Sequence, residues 1–352
     1  MPPTPHPAHL SPRLLRWFGR AKRDLPWRRT RDPYHIWVAE VMLQQTQVDR
    51  VIPFYERFIN AFRTPQALAA APLDDVLRLW SGLGYYSRAR NLHAAARAIV
   101  SQHAGRLPDT SPNLLALPGV GEYTAGAVAS IAFGLRHPAL DANARRLLAR
   151  VFRLDPASTA DRKEIDRLGA LAVPARRPGD YNQALMELGS LVCTPRSPDC
   201  PNCCLRNICL THIIGTPKRK TTSRRPKTRT TRAALALVRR RGRYLIAQRP
   251  PTGVWAGLWE FPNCEVGAGE DPEAALRALL LTDFGLDTIV GPELTSLTHG
   301  IMSRRIHLTA YTCTAPRGRT KARRHPRTRW VAPKDLADHA LPAPHRRVAS
   351  VL

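Results

Sequence analysis

Five of the chain's seven cysteines fall within residues 193–209, in the stretch CTPRSPDCPNCCLRNIC. Four of them are spaced Cys193-x6-Cys200-x2-Cys203-x5-Cys209. At this spacing one short irregular loop can wrap four thiolates around one centre, while Cys204, directly after Cys203, would point away. Zinc held by four cysteines and an iron–sulfur cube both need such a donor set, and spacing physics does not separate them. The N-terminal stretch MPPTPHPAHLSPRLLRW has no apolar h-region. A cytosolic, reducing compartment is therefore expected, where clustered cysteines serve metals rather than disulfides.

Two carboxylates stand in unusual places. Glu40 sits in Pro33-Tyr-His-Ile-Trp-Val-Ala-Glu-Val-Met-Leu-Gln-Gln-Thr-Gln-Val48, a helical run that is otherwise apolar around it. Burial raises a carboxyl pKa, so this group can carry a proton near neutral pH; the alternative is a buried salt bridge to one of the many arginines. Gln44, Gln45 and Gln47 follow, and their amides can read the edge of a base. Asp141, in His137-Pro-Ala-Leu-Asp-Ala-Asn-Ala-Arg-Arg-Leu-Leu-Ala-Arg150, precedes a helical run and is suited to cap it. A capped, ionised aspartate facing a cavity can also stabilise a developing cation. One proton donor and one anion are the pair that cleaves an N-glycosidic bond: the donor activates the leaving base and the anion supports the oxocarbenium ion, as in glycosidases.

The elements that must position these groups are mostly helical up to Cys209. Apolar residues recur at spacings of three and four, as in Leu68 to Trp80 and Ala94 to Val100, with Pro and Gly punctuating at short intervals. Leu114-Leu-Ala-Leu-Pro-Gly-Val-Gly-Glu-Tyr-Thr-Ala-Gly-Ala-Val-Ala-Ser-Ile131 reads as a helix–hairpin–helix. Gly119 and Gly121 permit positive φ and clear the turn of side chains, so its N–H groups and the next helix N-terminus can face a phosphate without reading sequence. The 54 Lys+Arg against 27 Asp+Glu give a net charge of +27, which points to a polyanion: nucleic acid first, an anionic membrane second. The 352 residues suffice for two or three domains, and no run of about 18 apolar residues is present to span a membrane.

The stretch Pro217 to Arg232 is half Lys or Arg, with no large apolar residue, and reads as a basic linker. Beyond it the texture changes. Ala233–Val238 and Arg243–Arg249 are expected to be strands joined by a turn at Arg241-Gly242, Ile306–Cys313 another strand, and Pro272–Phe284 a helix. Together they make an α+β domain.

The chain resembles the MutY-type adenine DNA glycosylases of the endonuclease III, or helix–hairpin–helix, superfamily over nearly its full length. The resemblance is carried by Leu25-Pro-Trp-Arg28, Glu40-Val-Met-Leu-Gln-Gln-Thr-Gln-Val48, Gly82-Leu-Gly-Tyr-Tyr-Ser-Arg-Ala-Arg-Asn-Leu92, Leu117-Pro-Gly-Val-Gly-Glu-Tyr-Thr-Ala125, Asn182-Gln-Ala-Leu-Met-Glu-Leu-Gly-Ser190 and the cysteine loop. It implies a multidomain protein: an all-α helix–hairpin–helix core (residues 25–137), a cluster domain (1–24 with 138–210), a basic linker (211–232) and a Nudix-like α+β recognition domain (233–352). It implies one 4Fe-4S cluster on Cys193, Cys200, Cys203 and Cys209, lying beside DNA rather than in the chemistry, with Arg196 and Arg206 toward the backbone.

Carried onto this sequence, the resemblance makes Glu40 the group that protonates adenine and then activates water. Asp141, with Asn143 near it, would stabilise the oxocarbenium ion, and Tyr123 would assist at the sugar. Trp27, Arg28, Leu43, Gln45 and Glu187 would line the adenine pocket. Gln44 with Tyr85 and Tyr86 would wedge into the duplex, because the target must leave the stack before it can react. Strand-cleaving members carry a lysine two residues after the hairpin, where this chain has Tyr123, so a monofunctional enzyme is expected. At the aspartate the family has Asp-Gly-Asn and this chain has Asp141-Ala-Asn143.

In the C-terminal region Arg249-Pro-Pro-Thr-Gly-Val-Trp-Ala-Gly-Leu-Trp-Glu-Phe-Pro262 carries the Nudix-like resemblance. The following helix keeps only Asp283 where pyrophosphate hydrolysis needs a glutamate cluster for magnesium, so recognition is expected instead. Leu297-Thr298-His299 aligns with the family's loop for 8-oxoguanine, against the alternative of an ordinary strand-end turn. The expected partner is double-stranded DNA with adenine opposite 8-oxoguanine or guanine, bound by a monomer that is cytoplasmic and nucleoid-associated in a bacterial-type cell. Two rival functions are an endonuclease III-like glycosylase/lyase for oxidised pyrimidines, opposed by Tyr123 and the added domain, and a non-catalytic DNA scaffold, opposed by the presence of both Glu40 and Asp141.

Overall fold

The helices run, in chain order, α1 (Leu10–Ala21), α2 (Pro33–Leu43), α3 (Val48–Ala61), α4 (Pro65–Ala70), α5 (Leu73–Trp80), α6 (Ser87–Gln102), α7 (Ser111–Leu115), α8 (Glu122–Ile131), α9 (Ala142–Phe152), α10 (Thr159–Leu171), α11 (Pro178–Leu191), α12 (Leu210–Ile214), α13 (Pro272–Phe284) and α14 (Ala343–Ala349). The strands are β1 (Arg229–Arg240), β2 (Arg243–Gln248), β3 (Trp259–Glu260), β4 (Asn263–Val266), β5 (Ile289–Ile301), β6 (Arg304–Thr314) and β7 (Thr328–Val331). The structure is a computed structural model that describes residues 5–215, 229–301, 303–314 and 320–352. The chain divides into two compact units, Met1–Ala70 with Asn91–Thr222, and Ala71–Arg90 with Ser223–Leu352.

The first unit is helical throughout its described residues. Its central helix is α2, whose N-terminus is fixed by Asp32, which accepts a hydrogen bond from the Tyr34 N–H at 2.8 Å, and by Pro33 in the first turn. From Ile36 to Met42 every residue of α2 is buried, so the helix is enclosed on all sides rather than amphipathic. A second core joins α1, α9, α10 and α11 through Leu10, Leu14, Leu147, Leu148, Ile165, Tyr181 and Leu185, with the cysteine loop packed on its edge. The apolar run from Leu68 to Trp80 forms two helices rather than one, because Pro72 lacks an N–H and separates α4 from α5.

The second unit is built on one seven-stranded sheet with the order β3-β2-β1-β6-β5, where β4 also pairs with β1 and β7 with β2. Strand β1 lies at its centre, parallel to β6 over Arg229↔Arg304 to Arg239↔Thr314. All of Ala233–Val238 is buried: Leu235 and Leu237 enter one core with Trp259, Phe261, Leu336 and Val348, while Ala234, Ala236 and Val238 enter another with Leu276, Leu280 and Phe284 of α13. A sheet covered on both faces explains why this strand reads as a continuous apolar run. The β1–β2 turn has positive φ at both Arg241 (48°) and Gly242 (75°), the pair of values that a two-residue hairpin with the sheet's twist requires.

Helix α13 spans Pro272–Phe284, as expected, between an Asp271 cap and Gly285 in the left-handed region. Strand β1 opens at Arg229, so Arg229-Thr-Thr-Arg232 belongs to the sheet rather than to a linker: these residues pair with Arg304–His307. Helix α12 occupies the start of the same basic run, and residues 216–228 lie outside the described residues. Residues 71–90 are tied to the sheet domain. Asp74 accepts from Gln248 Nε2 (3.1 Å) and Arg327 Nη2 (2.8 Å), Ser81 donates to the Leu341 carbonyl (3.0 Å), and Arg90 donates to the Ala256 carbonyl (2.7 Å). No helix among the described residues is long and apolar enough to cross a membrane.

Candidate active site

Glu40 is buried in the middle of α2, with 5% of its surface exposed. Its partner is not an arginine. The Tyr123 hydroxyl, near the start of α8, donates to Glu40 Oε2 at 2.6 Å and also lies 3.0 Å from Met186 Sδ. Burial pushes the Glu40 carboxyl up to about 7; the Tyr123 hydrogen bond opposes that rise, the Asp141 charge adds to it and Arg28 opposes it. Burial beside Glu40 drives the Tyr123 phenol well above its ordinary range, so it stays neutral. The pair therefore presents a carboxyl able to hold or release a proton near pH 7.

Asp141 caps α9 as its position suggests: its Oδ1 accepts from the Ala144 N–H at 2.7 Å. Its Oδ2 accepts from Asn143 Nδ2, also at 2.7 Å. Asn143 is oriented in turn by Arg146, whose Nη2 donates to Asn143 Oδ1 (3.0 Å) and whose Nε donates to the Cys193 carbonyl (3.0 Å). Gly189 on α11 allows this close packing, since a Cβ there would meet the Asn143 carbonyl oxygen at 2.8 Å. Ala142 begins α9 on its exposed side and is absent from the residues with positive φ, so the alanine sits at the helix start without strain.

The residues expected around an adenine behave differently from one another. Glu187, only 2% exposed, is saturated by arginines: Arg23 donates from Nε (2.9 Å) and Nη2 (2.7 Å), and Arg28 from Nη1 and Nη2 (3.1 Å each). Burial alone would raise its pKa, but the hydrogen bonds from Arg23 and Arg28 win and hold it at about 2. Glu187 thus fixes Arg28 in place instead of presenting a free carboxylate. Trp27 is buried edge-on to Tyr55. Leu43 ends α2 half-buried, Gln44 donates to Thr124 Oγ1 at 3.0 Å, and Gln45 is exposed in the left-handed region at φ 56°.

Of the two tyrosines expected to wedge together, only Tyr85 is presented. It is 53% exposed, whereas Tyr86 is 7% exposed, with its hydroxyl accepting from the Gly82 N–H. The hairpin glycines also differ. Gly119 has φ 74°, and a Cβ there would meet the Asn91 side chain at 2.5 Å, so the turn itself requires it. Gly121 has φ −97°, not the positive value expected, and a Cβ there would meet nothing within 4 Å. Its missing side chain leaves room for something outside the protein. Gly121→Ala is expected to fold with unchanged melting temperature and to bind duplex DNA about tenfold more weakly, as one backbone–phosphate contact is held off; titration at fixed salt measures it.

The four cysteines line one cavity of about 340 Å³ together with Arg150, Arg196 and Arg206, while Cys204 is not among its lining residues. Among the described residues no three His, Cys, Asp or Glu side chains stand close enough to share a single metal ion. Four thiols around one cavity are the donor set that either a tetrahedral zinc or an iron–sulfur cluster would take. Burial pushes the Cys203 thiol up to about 11, and Cys193, Cys209 and Cys200 add to the effect. Arg150 Nη1 donates to Cys193 Sγ (3.2 Å) and to the Thr194 carbonyl (2.7 Å), anchoring the loop's first ligand position.

In the sheet domain Thr298 and His299 are mid-strand in β5, paired with His307 and Ile306 of β6, and not in a turn or loop. Successive strand residues face opposite sides of a sheet, so the two side chains do not converge. Thr298 Oγ1 lies 2.8 Å from His307 Nδ1, and His299 lies against the Trp255 ring. Asp283 is buried, with Arg324 as its ion-pair partner at 3.5 Å. Arg23, Arg146 and Arg150 were not distinguishable in the sequence; among 54 basic residues, nothing marks those that reach carboxylates and carbonyls.

Residues 38–171 match the HhH-GPD superfamily of base excision DNA repair proteins and residues 233–350 match the NUDIX domain. The chain is 35% identical to the adenine DNA glycosylase of Rattus norvegicus, over 96% of this chain and 77% of the relative. It is 38% identical to that of Homo sapiens, over 71% of this chain and 56% of the relative. Against that of Mycolicibacterium smegmatis it is 42% identical, over 58% of this chain and 70% of the relative. Among solved structures, a thermostable thymine-DNA glycosylase superposes with a TM-score of 0.55 at 29% identity, over 59% of this chain and 97% of that one. A trapped endonuclease III–DNA covalent intermediate gives 0.51 at 25% identity, over 58% and 95%. With a buried carboxyl on α2, a capped aspartate on α9 and a helix–hairpin–helix between them, the chain belongs to the adenine DNA glycosylase family and is a DNA N-glycosylase of base excision repair.

Proposed function

We propose that this enzyme hydrolyses the N-glycosidic bond of adenine mispaired with 8-oxoguanine or guanine in duplex DNA, without cleaving the strand. The observation that carries the reading is Glu40, a buried carboxyl poised near pH 7 on the Tyr123 hydroxyl. Protonated Glu40 donates to the leaving adenine. Asp141, held in place by the Ala144 N–H and Asn143, stabilises the sugar cation with its carboxylate, and ionised Glu40 then takes a proton from the incoming water. Arg28, held by Glu187, and Trp27, Leu43 and Gln45 shape the adenine site; Gln44 and Tyr85 support the opened duplex, and Gly119 and Gly121 form the phosphate-facing turn. Asn143 orients Asp141, and Tyr123 orients Glu40.

The absence of strand cleavage rests on a lysine count. The described part of the helical unit holds only Lys22 and Lys163, both exposed, so no buried amine stands where an imine would form. Strand β5, with Thr298 and His299, serves recognition of the opposite base; the two face opposite sides, so one base meets one of them.

Cys193, Cys200, Cys203 and Cys209 would hold one 4Fe-4S cluster, which would anchor the basic loop that carries Arg196 and Arg206. The hydrolysis proceeds on Glu40 and Asp141. Purified protein is expected to contain about four iron and four acid-labile sulfide per chain; one zinc and no sulfide would replace the cluster with a zinc site held by the same four cysteines.

The reaction itself is tested by single-turnover cleavage of duplexes with adenine opposite 8-oxoguanine, guanine or thymine, with and without alkali. Base loss opposite 8-oxoguanine and guanine, with breaks only after alkali, is expected. Strand breaks at oxidised pyrimidines with no adenine release would favour the endonuclease III-like reading.

A further inference from the structure

The loop that presents Tyr85 is held from within by an unusual set of contacts. Gly84 at φ 85° and Tyr85 at φ 49° are both in the left-handed region, which a tyrosine adopts only when its surroundings enforce it. The Gly84 carbonyl accepts two hydrogen bonds, from Trp80 Nε1 at 3.0 Å and from Arg88 Nη2 at 3.1 Å. The Arg88 guanidinium is buried, with its carbon 5.4 Å from the centroid of the Trp80 ring and 5.4 Å from that of the Tyr85 ring. Both distances lie within the range of cation–π attraction.

We propose that Arg88 is a positioning residue for Tyr85, holding its exposed ring as a preformed blade against the buried Trp80–Gly84 frame. The proposal rests on the reading that Tyr85 enters the duplex. A tyrosine free to rotate would lose that freedom on insertion between bases, and a ring already fixed loses less. Arg88 fixes it with a cation, which binds an aromatic face while leaving the ring exposed; an apolar pocket deep enough to do the same would bury the ring and remove it from use. The double acceptor at Gly84 sets the backbone turn and the guanidinium sets the ring. Arg88 thus acts on both the turn, through Gly84, and the ring.

The test uses the full-length protein and a duplex with 2-aminopurine as the target opposite 8-oxoguanine, whose fluorescence rises on extrusion. Arg88→Met is expected to lower the extruded fraction and the single-turnover rate at subsaturating enzyme by about tenfold. Arg88→Lys, which keeps a cation, should recover most of the extrusion. In a Tyr85→Ala background Arg88→Met should add nothing further, since its effect passes through the ring. Additive losses, or an Arg88→Lys variant as impaired as Arg88→Met, would overturn the positioning role and leave Arg88 as packing for Trp80. The two readings fail separately: if Tyr85→Ala alone leaves extrusion unchanged, the wedge assignment falls; if Tyr85→Ala impairs it and Arg88→Met does not, only the proposal falls. Thermal melts of each variant guard against misfolding, and the double-variant comparison holds even where Arg88→Met lowers the melting temperature.

Discussion

Glu40→Gln is expected to reduce single-turnover adenine release by about 10³- to 10⁴-fold while leaving duplex affinity within about twofold, because general acid–base catalysis contributes on that scale. Glutamine keeps the volume of the buried side chain, and its carbonyl oxygen can still accept the Tyr123 hydroxyl that glutamate accepts at 2.6 Å. What it lacks is a proton that can leave. Retained activity would refute the mechanism, since no other carboxyl is assigned to the leaving base. The wild-type rate carries its own signature. Burial sets the Glu40 carboxyl at about 7, and the acid form is the one that donates, so the rate should fall as pH rises through 7 and level off below it.

The same burial makes a stability prediction of opposite sense. Glu40 titrates near its ordinary 4.5 in the unfolded chain and at about 7 in the fold, so the fold binds its proton more tightly. That contribution is fully present below about 4.5 and is lost as pH rises to and past 7, at a cost on the order of 3 kcal/mol. Glu40→Gln has no proton to lose. At pH 8 the inactive variant should therefore melt higher than the wild type, and at pH 4.5 the difference should vanish. A residue both needed for rate and costly to the fold is expected of a catalytic group, and melting curves at the two pH values check it.

Some of this was legible in the sequence for physical reasons. Glu40 stood out because every neighbour on α2 is apolar, so its burial follows from the pattern even though its tyrosine partner, 83 positions away, does not. Helix α13 was readable to the residue because both ends carry their stop signals, Asp271 with Pro272 and Gly285. Tyr85 and Tyr86 are chemically identical neighbours, and only the backbone turn at Gly84 and Tyr85 decides which is presented. Thr298 and His299, read as a loop or a strand-end turn, lie mid-strand in β5, whose Gly291 and Pro292 the sheet absorbs through register shifts between Val290 and Thr295. The arginines were least legible. Arg23, Arg146 and Arg150 hold key groups by long-range contacts, and a chain this basic offers no local sign of which guanidiniums turn inward.

Asp141→Asn should cost at least about 10³-fold in adenine release, since a preorganised charge at a developing cation is worth several orders of magnitude. Its effect can be separated from damage to the fold. Asparagine is as good a helix cap as aspartate, so the bond from the Ala144 N–H survives and α9 should keep its start. The second oxygen is the problem. It accepts from Asn143 Nδ2, while Asn143 Oδ1 is committed to Arg146; an amide NH₂ at residue 141 would face another NH₂. Asn143 can turn over only by breaking with Arg146, which also holds the Cys193 carbonyl of the cysteine loop. The variant thus loses the charge and loosens one link toward that loop, while the helix cap remains. A pH profile then distinguishes loss of charge from general disorder. The Asp141 anion pushes the Glu40 pKa up, and removing a like charge lets Glu40 ionise more easily. The residual activity of Asp141→Asn should therefore fall off at a lower pH than the wild type. A profile that keeps its position would mean that Asp141 does not act on Glu40 through its charge, and that the loss comes from geometry alone.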